Sequence, residues 1–416
     1  MGWTVGVDVG GTFTDFFAAK GDEGLIHVYK TSSTPSNPAE AILNGLDAMC
    51  EKFDIPMDQI DRLSHGTTVG TNALIQRTGS RVALVTTKGF RDLLEIGRQT
   101  RPHMYDLQID HPEPLVEREH RIELNERIGA QGESVREPSS EDIDAAVDEV
   151  IAADAGACAI GFIFSFRNDV NEQTFAKALR ARAPDVAVSV SSEVQPEFRE
   201  YERLSTTVLN AYLQPVMSRY LETLEAGIAK RAPNASLGIN QSNGGLMSVG
   251  RSREFPVRTA LSGPAAGAVG AAHAARQIGR RNIITLDMGG TSADVALIRD
   301  YKVDLAFDRD VAGFPIRMPC VDVETVGAGG GSVAWFDRDG LLKAGPKSAG
   351  AYPGPACYGN GGTEPTTTDA NLLLGRLSSR GLLDGDMGLD SALSRQVYQP
   401  IADELRWRQL QRSSIR

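Results

Sequence analysis

Apolar and polar residues alternate over the first nine positions, a period typical of a strand with one buried face. The alternation stops at Gly10-Gly11-Thr12, and residues 14–34 then follow a pattern that predicts a β-hairpin. Residues 37–55 repeat apolar residues at helical spacing and predict a helix. The residues on or near its apolar face are Ala41, Leu43, Leu46 and Met49.

Strand and helix patterns alternate over residues 60–190, which indicates an α/β unit with a largely parallel sheet. Ser139 and Asp142 have the spacing of a helix cap, and the helix that follows has the predicted apolar face Ile143, Val147 and Ile151. Gly156 is expected to end this helix before a buried strand at 157–166.

The second half begins with a predicted long helix at about 203–230, whose apolar residues are predicted to be core: Leu209, Leu213, Met217, Tyr220 and Leu224. Residues 236–248 predict a strand with a Gly-Gly turn, and 259–279 predict a loop leading into an Ala/Gly-rich helix. Glycine is frequent over 319–362, which suggests backbone approaching a ligand.

The chain of 416 residues is longer than one hydrophobic core usually serves, so two domains are predicted, 1–200 and 201–416. Its net charge of −11 and lack of long apolar runs argue against nucleic-acid and membrane partners. The N-terminus lacks the features of a signal peptide. The four cysteines are widely spaced, which favours reduced thiols and a cytoplasmic location. His103, His111 and His120 share one polar stretch, where a solvated loop is favoured over a metal site.

One motif occurs twice. VDVGGTFTD contains Asp8 before Gly-Gly-Thr and Asp15 seven residues after Asp8. LDMGGTSAD repeats the arrangement with Asp287 and Asp294. A strand that ends in Gly-Gly-Thr leaves backbone N–H groups and a hydroxyl free to bind phosphate oxygens. An ionised Asp would repel phosphate, so Asp8 and Asp287 are interpreted as water-mediated ligands of Mg²⁺, which bridges carboxylates and phosphates.

The alternative interpretation is a pair of structural hairpins, each with a capping Asp. The repetition, and the second Asp in each copy, favour the phosphate interpretation. Other nucleotide motifs are missing from the sequence, since it contains neither a P-loop pattern nor a G-x-G-x-x-G that follows a strand and opens a helix.

Paired Asp-x-Gly-Gly-Thr hairpins resemble those of the actin, sugar-kinase and heat-shock ATPase superfamily. Further segments together resemble the hydantoinase A/5-oxoprolinase family, which includes the ATP-binding subunits of acetone- and acetophenone-type carboxylases. They are HGTTVGTNAL, GFRDLLEIGRQ, ALSGPAAGAVGA, VDVETVGAGGGS and SAGAYPGPACYGNGGTEPTTTDANLLLGRL. The resemblance extends to about residue 380. It implies an α/β fold of duplicated actin-like (ribonuclease H-like) ATPase domains around a central cleft.

The resemblance also implies a function: ATP-dependent hydrolysis of a cyclic amide, of the hydantoin or 5-oxoproline class, through phosphorylation of its carbonyl oxygen. The implied cofactors are ATP and Mg²⁺, and the implied partner is a hydantoinase B-like subunit in a hetero-oligomer. A ketone carboxylase subunit is the alternative enzyme. A non-catalytic ATPase switch and an inactive fragment are the alternatives of another class.

The matching positions give a predicted site. Asp8, Asp287 and His65 are the predicted catalytic residues. The two Asp residues are also the predicted ligands of Mg²⁺, through water. The predicted nucleotide-binding residues are Gly10, Gly11, Thr12, Thr14, Gly289, Gly290, Thr291, Ser292, Gly329 and Gly330. The predicted substrate residues are Thr67, Thr68, Asn72 and Arg98. Weaker candidates are Asp15, Asp294, Arg101, Asp322, Glu324 and Gly331. For HGTTVGTNAL the alternative is a helix cap with a satisfied histidine.

The C-terminal part departs from the family pattern. Family members are expected to continue beyond residue 416 with a Phe-Gly-Gly-Ala-Gly segment that contacts adenosine, so the second lobe is expected to be incomplete. Residues 395–416 are rich in Arg, Gln and Ser, and the expected helical continuation is not predicted there. Truncation, a gene fragment or a shifted reading frame would each explain this, and poor nucleotide affinity would follow unless the missing part is supplied in trans.

Overall fold

The structure is a computed structural model that describes residues 2–10, 13–34, 37–106, 108–350, 352–378 and 388–413. Its strands, in chain order, are β1 (Trp3–Val9), β2 (Phe13–Lys20), β3 (Leu25–Ser32), β4 (Ile60–Gly66), β5 (Val82–Thr87), β6 (Arg121–Leu124), β7 (Arg127–Ile128), β8 (Ser134–Arg136), β9 (Ala157–Gly161), β10 (Ala187–Val190), β11 (Ser236–Asn240), β12 (Leu246–Ser248), β13 (Ile283–Met288), β14 (Ala293–Arg299), β15 (Lys302–Val303), β16 (Leu305–Val311), β17 (Phe314–Val321), β18 (Val323–Val326), β19 (Ser332–Phe336) and β20 (Leu342–Ser348).

The helices are α1 (Pro38–Lys52), α2 (Val69–Ile75), α3 (Leu93–Ile96), α4 (Ser140–Ala152), α5 (Val170–Arg182), α6 (Ser191–Val194), α7 (Glu200–Arg231), α8 (Val249–Glu254), α9 (Ser262–Gln277), α10 (Thr367–Leu373) and α11 (Ser391–Ser413). The hairpin predicted at 14–34 and the helix predicted at 37–55 are confirmed as β2–β3 and α1. Among the helices within the described ranges, none combines the length and apolar character needed to cross a bilayer.

The first sheet has the strand order β12-β11-β4-β1-β2-β3. Its three central strands, β11, β4 and β1, are parallel, so their carboxyl ends lie at the same edge. Asp8, Gly66 and Asn240 stand at those ends. The sheet combines residues from both sides of the boundary predicted at 200, and the division into 1–200 and 201–416 stays a prediction.

The second sheet has the order β10-β9-β5-β6, and each neighbouring pair is parallel, as predicted for 60–190. Ser139 caps α4 as predicted, because its Oγ accepts a hydrogen bond from Asp142 N at 3.0 Å. The predicted apolar face was partly wrong. Val150 is buried and Ile151 is 46% exposed, because the helix presents 146, 147 and 150 to the core. The strand after α4 is also shorter than predicted and ends at Gly161, where the chain turns.

The long helix α7 lies in the main hydrophobic core. It packs against β9, β10 and β17 on one side and against α1 and α2 on another. The apolar residues predicted to be core, Leu209, Leu213, Met217, Tyr220 and Leu224, are all buried. This helix therefore packs against strands of the second sheet and against α1 and α2, the helices next to the first sheet.

A third sheet contains β13, β14, β15 and β18. Strand β14 pairs with each of the other three. Helix α9 leads into it and contacts β13, β14 and β15 as well as β4 and β11 of the first sheet. The chain thus passes from the carboxyl edge of the first sheet to the second Asp-Gly-Gly-Thr segment through one helix.

Near the C-terminus, α10 and α11 pack together. The prediction that helix would not continue over 395–416 was wrong, since α11 extends to Ser413. Leu, Gln, Glu and Arg are good helix formers, and Arg- and Gln-rich composition is compatible with a surface helix. Ser394 Oγ on this helix donates to the buried carboxylate of Asp369 at 2.7 Å. All four cysteines are free and buried, as predicted for structural thiols.

Candidate functional site

The two Asp-Gly-Gly-Thr segments form equivalent hairpins. The β1–β2 register places Asp8 opposite Asp15, and the β13–β14 register places Asp287 opposite Asp294. Gly10 N donates to Phe13 O at 2.9 Å in the first turn, and Gly289 N donates to Ser292 O at 2.9 Å in the second. The sequence repeat is therefore a structural repeat. Gly11 and Thr12, two of the predicted nucleotide residues, lie outside the described residues.

The structure brings the two hairpins toward each other. Asp8 is exposed, and neighbouring protein nevertheless desolvates its carboxylate. This burial is the largest cause that raises the pKa of Asp8, and the negative charges of Asp15 and Asp287 raise it further, while Lys30 opposes them. Asp287 therefore acts electrostatically on Asp8 although 279 residues separate them in sequence.

The second turn has unused hydrogen-bond donors. Within the described residues, the backbone N–H groups of Gly290 and Thr291 make no hydrogen bond, and both residues are exposed. Ser292 is half-buried beside them. Successive free amides next to an exposed hydroxyl form a concave anion-binding arrangement. The role of these three residues in binding phosphate oxygens stays a prediction.

The glycine run at 329–331 contacts the second turn of the protein and not open space where a nucleotide was predicted. Gly330 N donates to Gly289 O at 2.9 Å and Gly331 N donates to Gly290 O at 2.6 Å. Gly329 N donates to Ser332 Oγ at 2.8 Å. All three amides are thus used within the protein, and the prediction that Gly329 and Gly330 bind a nucleotide through them is not supported. A Cβ on Gly329 would lie 2.7 Å from backbone atoms of Gly290 and Ser292, so glycine here permits two loops to touch.

The HGTTVGTNAL segment forms the end of β4 and the start of α2, beside the first hairpin. Thr68 Oγ1 donates to Val9 O at 3.1 Å, and the exposed Asn72 donates from Nδ2 to Thr68 Oγ1 at 3.4 Å. These two predicted substrate residues lie near the strand that carries Asp8. Thr67 is only 2% exposed and hydrogen-bonds with Ser262 at the start of α9, so its prediction as a substrate residue is not supported.

His65 is fully buried. Its Nε2 lies 2.5 Å from Tyr220 Oη, and its Nδ1 lies 3.3 Å from Val7 O. Burial lowers the pKa of His65 to about 4, so the ring is neutral at neutral pH. This environment favours the alternative interpretation, a satisfied histidine of the core, over a catalytic group. Thr14 is likewise fully buried, with Oγ1 3.0 Å from Ser33 Oγ, and cannot reach a ligand.

The remaining predicted residues lie in ion pairs or hydrogen bonds. The Arg98 guanidinium binds Glu202 with two hydrogen bonds at the start of α7, beside a cavity of about 580 Å³. Arg309 contacts both Asp322 and Glu324. Lys30 pairs with Asp15 at 2.7 Å, and Thr325 Oγ1 donates to Asp294 at 2.6 Å. Arg101 is exposed and takes part in none of these contacts. The ligand-binding roles predicted for these residues stay predictions.

Histidines do not cluster in the described part of 100–120. His111 Nε2 lies 2.7 Å from Thr100 O, and His103 Nδ1 accepts a hydrogen bond from Asp106 N. His120 lies near the exposed carboxylates of Glu117 and Glu119. The ligand atoms of these three residues lie within 4.8 Å of one another, so the choice between a solvated loop and a metal site stays a prediction.

Sequence reasoning missed three residues beside Asp8. A Cβ on Gly66 would lie 3.1 Å from Asp8 Oδ1 and 3.4 Å from Asn240 Nδ2. A Cβ on Gly263, in the first turn of α9, would lie 3.6 Å from Asp8 Oδ1. Gly66, Asn240 and Gly263 therefore surround the carboxylate. They end β4 and β11 and begin α9, and only the parallel pairing of strands brings them together.

Comparison with known proteins identifies the family. The model of the hydantoinase/oxoprolinase N-terminal region matches residues 4–183, and the hydantoinase/oxoprolinase model matches residues 203–411. The second match extends beyond residue 380, where the sequence resemblance was expected to end.

Three relatives illustrate the range of the family. The chain is 40% identical to caprolactamase subunit alpha of Pseudomonas jessenii over 96% of this chain and 59% of that one. The crystal structure of ATP-dependent caprolactamase from the same organism matches with a TM-score of 0.84, covering 97% of this chain and 59% of that chain. The chain is 34% identical to the acetophenone carboxylase gamma subunit of Aromatoleum aromaticum, covering 96% of this chain and 58% of that one. It is 35% identical to 5-oxoprolinase of Saccharomyces cerevisiae, covering 90% of this chain and 32% of that one.

These comparisons confirm the predicted α/β fold, which is consistent with an actin-like ATPase fold. The chain spans about three fifths of the length of caprolactamase subunit alpha and of the acetophenone carboxylase subunit. The repeated hairpins, the α/β sheets and both family models agree: this chain belongs to the hydantoinase/oxoprolinase family.

Proposed function

We propose that this chain binds Mg²⁺-ATP between its two hairpins and transfers the γ-phosphoryl group to the carbonyl oxygen of a cyclic amide. The observation that carries the proposal is the effect of Asp287, on the second hairpin, on the pKa of Asp8 on the first. The negative charge of Asp287 disfavours the ionised form of Asp8, and a divalent cation held by both carboxylates would relieve this. The relatives named caprolactamase and 5-oxoprolinase support a cyclic amide as substrate.

The residues present suit Mg²⁺, which prefers one or two carboxylates with water and phosphate oxygens as its other ligands. Asp8 and Asp287 would hold the ion through water. When bound, Mg²⁺ neutralises charge on the phosphates during transfer. The chain itself would bind phosphate oxygens through the free amides of Gly290 and Thr291, and the helix start at Gly263 adds a positive dipole end near Asp8.

The transfer forms one bond and breaks one. The lactam oxygen attacks the γ-phosphorus, the bond between that phosphorus and the β–γ bridging oxygen breaks, and ADP leaves. Phosphorylation turns a weakly electrophilic amide carbon into one that water can attack. Ring opening and release of phosphate then consume two water molecules. We assign these later steps to a hydantoinase B-like partner in a hetero-oligomer, because relatives are named as subunits.

A ketone carboxylase subunit is the second candidate, because the acetophenone carboxylase gamma subunit is among the relatives. There the acceptor would be an enol oxygen, and the same crevice would serve. The four buried free thiols are compatible with a reducing compartment, so the cytoplasm remains the proposed location.

Phosphate release tests the proposal and separates the two candidates. The chain with its partner would be assayed with Mg²⁺-ATP and 5-oxoproline, hydantoin, ε-caprolactam, or acetone plus bicarbonate. Stimulation by a cyclic amide is expected. Stimulation by the ketone mixture alone would select the carboxylase. Phosphate release at one rate with or without every acceptor would contradict both candidates.

A further inference from the structure

The second hairpin, β13–β14, exposes an apolar surface. Alternate side chains of β13 lie on one side of the sheet, and the residues that oppose them in β14 and β18 lie on the same side. We call this surface the apolar face, and its members are Ile284, Leu286, Met288, Val295, Leu297 and Val326. Ile284 is 71% exposed and Leu286 is 67% exposed. Helix α9 covers the opposite face, where Ala296 packs against Ala265 and Ala268. A contiguous exposed apolar surface of this kind marks an interaction site.

The first hairpin shows how the same chain covers the equivalent surface. The positions that lie 279 residues earlier, the offset that relates Asp287 to Asp8, are Val5, Val7, Val9, Phe16 and Ala18. All five are buried, and none is more than 4% exposed. Helix α1 packs on this surface, since a Cβ on its Gly45 would lie 2.5 Å from the Phe16 ring. The two hairpins thus share a register and an apolar pattern, but the second lacks an equivalent helix cover over its apolar face among the described residues.

The strand edge differs between the hairpins in the same way. Strand β1 pairs with β2 on one side and in parallel with β4 on the other. Among the described strands, β13 pairs with β14 alone, so its other edge is open to a further strand. In the first hairpin the parallel neighbour ends at Gly66, which stands opposite Asp8 in the register. A strand in the equivalent place would end beside Asp287.

One type of segment would fill both places. In the first half of the chain, the covering helix α1 has 15 residues, and the next strand of the sheet, β4, has seven and adds to β1. A helix followed by a strand can therefore cover the apolar face and pair with the open edge of the same hairpin. Edge addition supplies backbone hydrogen bonds, and the apolar side chains supply specificity.

We propose that the apolar face and the open edge of β13 bind a helix–strand segment, with its helix on the face and its strand parallel to β13. The occupant that we assign is the part of the family's subunit that this chain does not span. About two fifths of caprolactamase subunit alpha lies outside its match with this chain, so that part is long enough to contain such a segment. The bound strand brings its carboxyl end to Asp287. This inference concerns assembly and does not depend on the proposed phosphoryl transfer.

Co-purification with a segment of a relative tests the proposal. The probe is the part of Pseudomonas jessenii caprolactamase subunit alpha that lies outside the match, co-expressed with the 416-residue chain as a separate tagged polypeptide. The parent chain should form a complex with it. Ile284→Glu and Leu286→Glu should each weaken this complex by about 10-fold or more, because binding would bury the new charge against apolar surface. Both variants should melt like the parent when alone, since both positions are exposed.

Ile26→Glu is the matched control. Ile26 is 62% exposed on β3, the edge strand of the first sheet, and its substitution should leave the complex unchanged. The matching part of caprolactamase subunit alpha, co-expressed with the same probe, shows whether the probe folds. Hydrogen exchange locates the contact: the amides of 283–288 should become protected in the complex, whereas those of 25–32 should not change.

Three results would overturn the proposal. The first is no complex with the parent chain when the control subunit forms one. The second is a complex that both glutamate variants leave intact. The third is a dimer of the chain alone in which 283–288 are already protected, since a second copy would then cover the apolar face. A chain that forms the complex but hydrolyses no ATP would refute the proposed function and leave this inference standing.

Discussion

Asp287 on the second hairpin raises the pKa of Asp8 on the first, after the larger effect of burial. Each carboxylate stands two residues before the first glycine of a Gly-Gly turn and opposite a second Asp in the hairpin register. Helix α9 connects the two, because it begins beside Asp8 and leads into β13. The fold thus places two like charges close enough to interact, an arrangement that makes sense when a cation and an anionic ligand bind between them.

Replacing either carboxylate by its amide should remove turnover. Asp8→Asn and Asp287→Asn keep the side-chain shape but remove the charge that holds the metal. We expect phosphate release to fall about 100-fold or more in each variant, comparable to the loss of one transition-state contact. The measurement is steady-state phosphate release with saturating Mg²⁺-ATP and the best acceptor.

Asp300→Asn is a suitable control, because Asp300 is an exposed carboxylate paired with Arg281 at the far end of β14. It should keep the parent rate. An Asp8→Asn enzyme that released phosphate as fast as the parent would show that this carboxylate has no role in the reaction.

Asp8→Asn should stabilise the metal-free protein. The pKa of Asp8 is raised in the folded state, so folding favours the protonated form and the ionised form is destabilising above that pKa. Asp8→Asn should therefore melt at a higher temperature than the parent at pH 7 in EDTA. The difference should disappear as the pH falls below about 3.8, where Asp8 is protonated in both states. Mg²⁺ together with a non-hydrolysable ATP analogue should raise the melting temperature of the parent more than that of the variant.

Local patterns predicted the elements but not which residues face a ligand. The repeated Asp-Gly-Gly-Thr segments predicted two hairpins, and the register confirms their equivalence. By contrast, Thr14 and Thr67 have the right chemistry in sequence but are buried. Thr14 lies in β2, where alternate side chains point inward, and Thr67 follows β4 and packs against the start of α9. Side-chain direction depends on which strand pairs with which, and short motifs do not contain that information.

Long-range contacts account for the residues that were missed. Asn240 and Gly263 approach Asp8 only because β11 and β4 pair in parallel and α9 starts at the same edge. The glycines at 329–331 were predicted to bring the backbone close to a ligand. The partner of that approach is the second turn of the protein itself, which sequence composition could not identify.

His65 provides a test of a structural role against a catalytic one. The pKa of His65 is lowered to about 4 in the folded state, whereas the unfolded value is 6.5. Because the unfolded chain binds the proton more readily, the free energy of unfolding should fall as the pH drops below 6.5. The loss should reach about 2 kcal/mol between pH 8 and pH 5. His65→Gln should reduce this pH dependence in denaturant titrations while phosphate release stays within about tenfold of the parent. A much larger loss of turnover with normal stability would restore a catalytic role.

Two glycines of the same loop should respond in opposite ways to alanine. A Cβ on Gly329 would lie 2.7 Å from backbone atoms of Gly290 and Ser292, whereas a Cβ on Gly327 would meet no atom within 4 Å. Gly329→Ala must push the loop away from the second turn, because the atoms that the added Cβ would meet belong to the backbone of that turn. A displacement of this kind next to phosphate-binding amides should lower phosphate release by about 10- to 100-fold. Gly327→Ala should keep the parent rate and melting temperature. Comparable rates in both variants would mean that contact between loop and turn does not position the amides of Gly290 and Thr291, and the site would then have to be sought apart from the second hairpin.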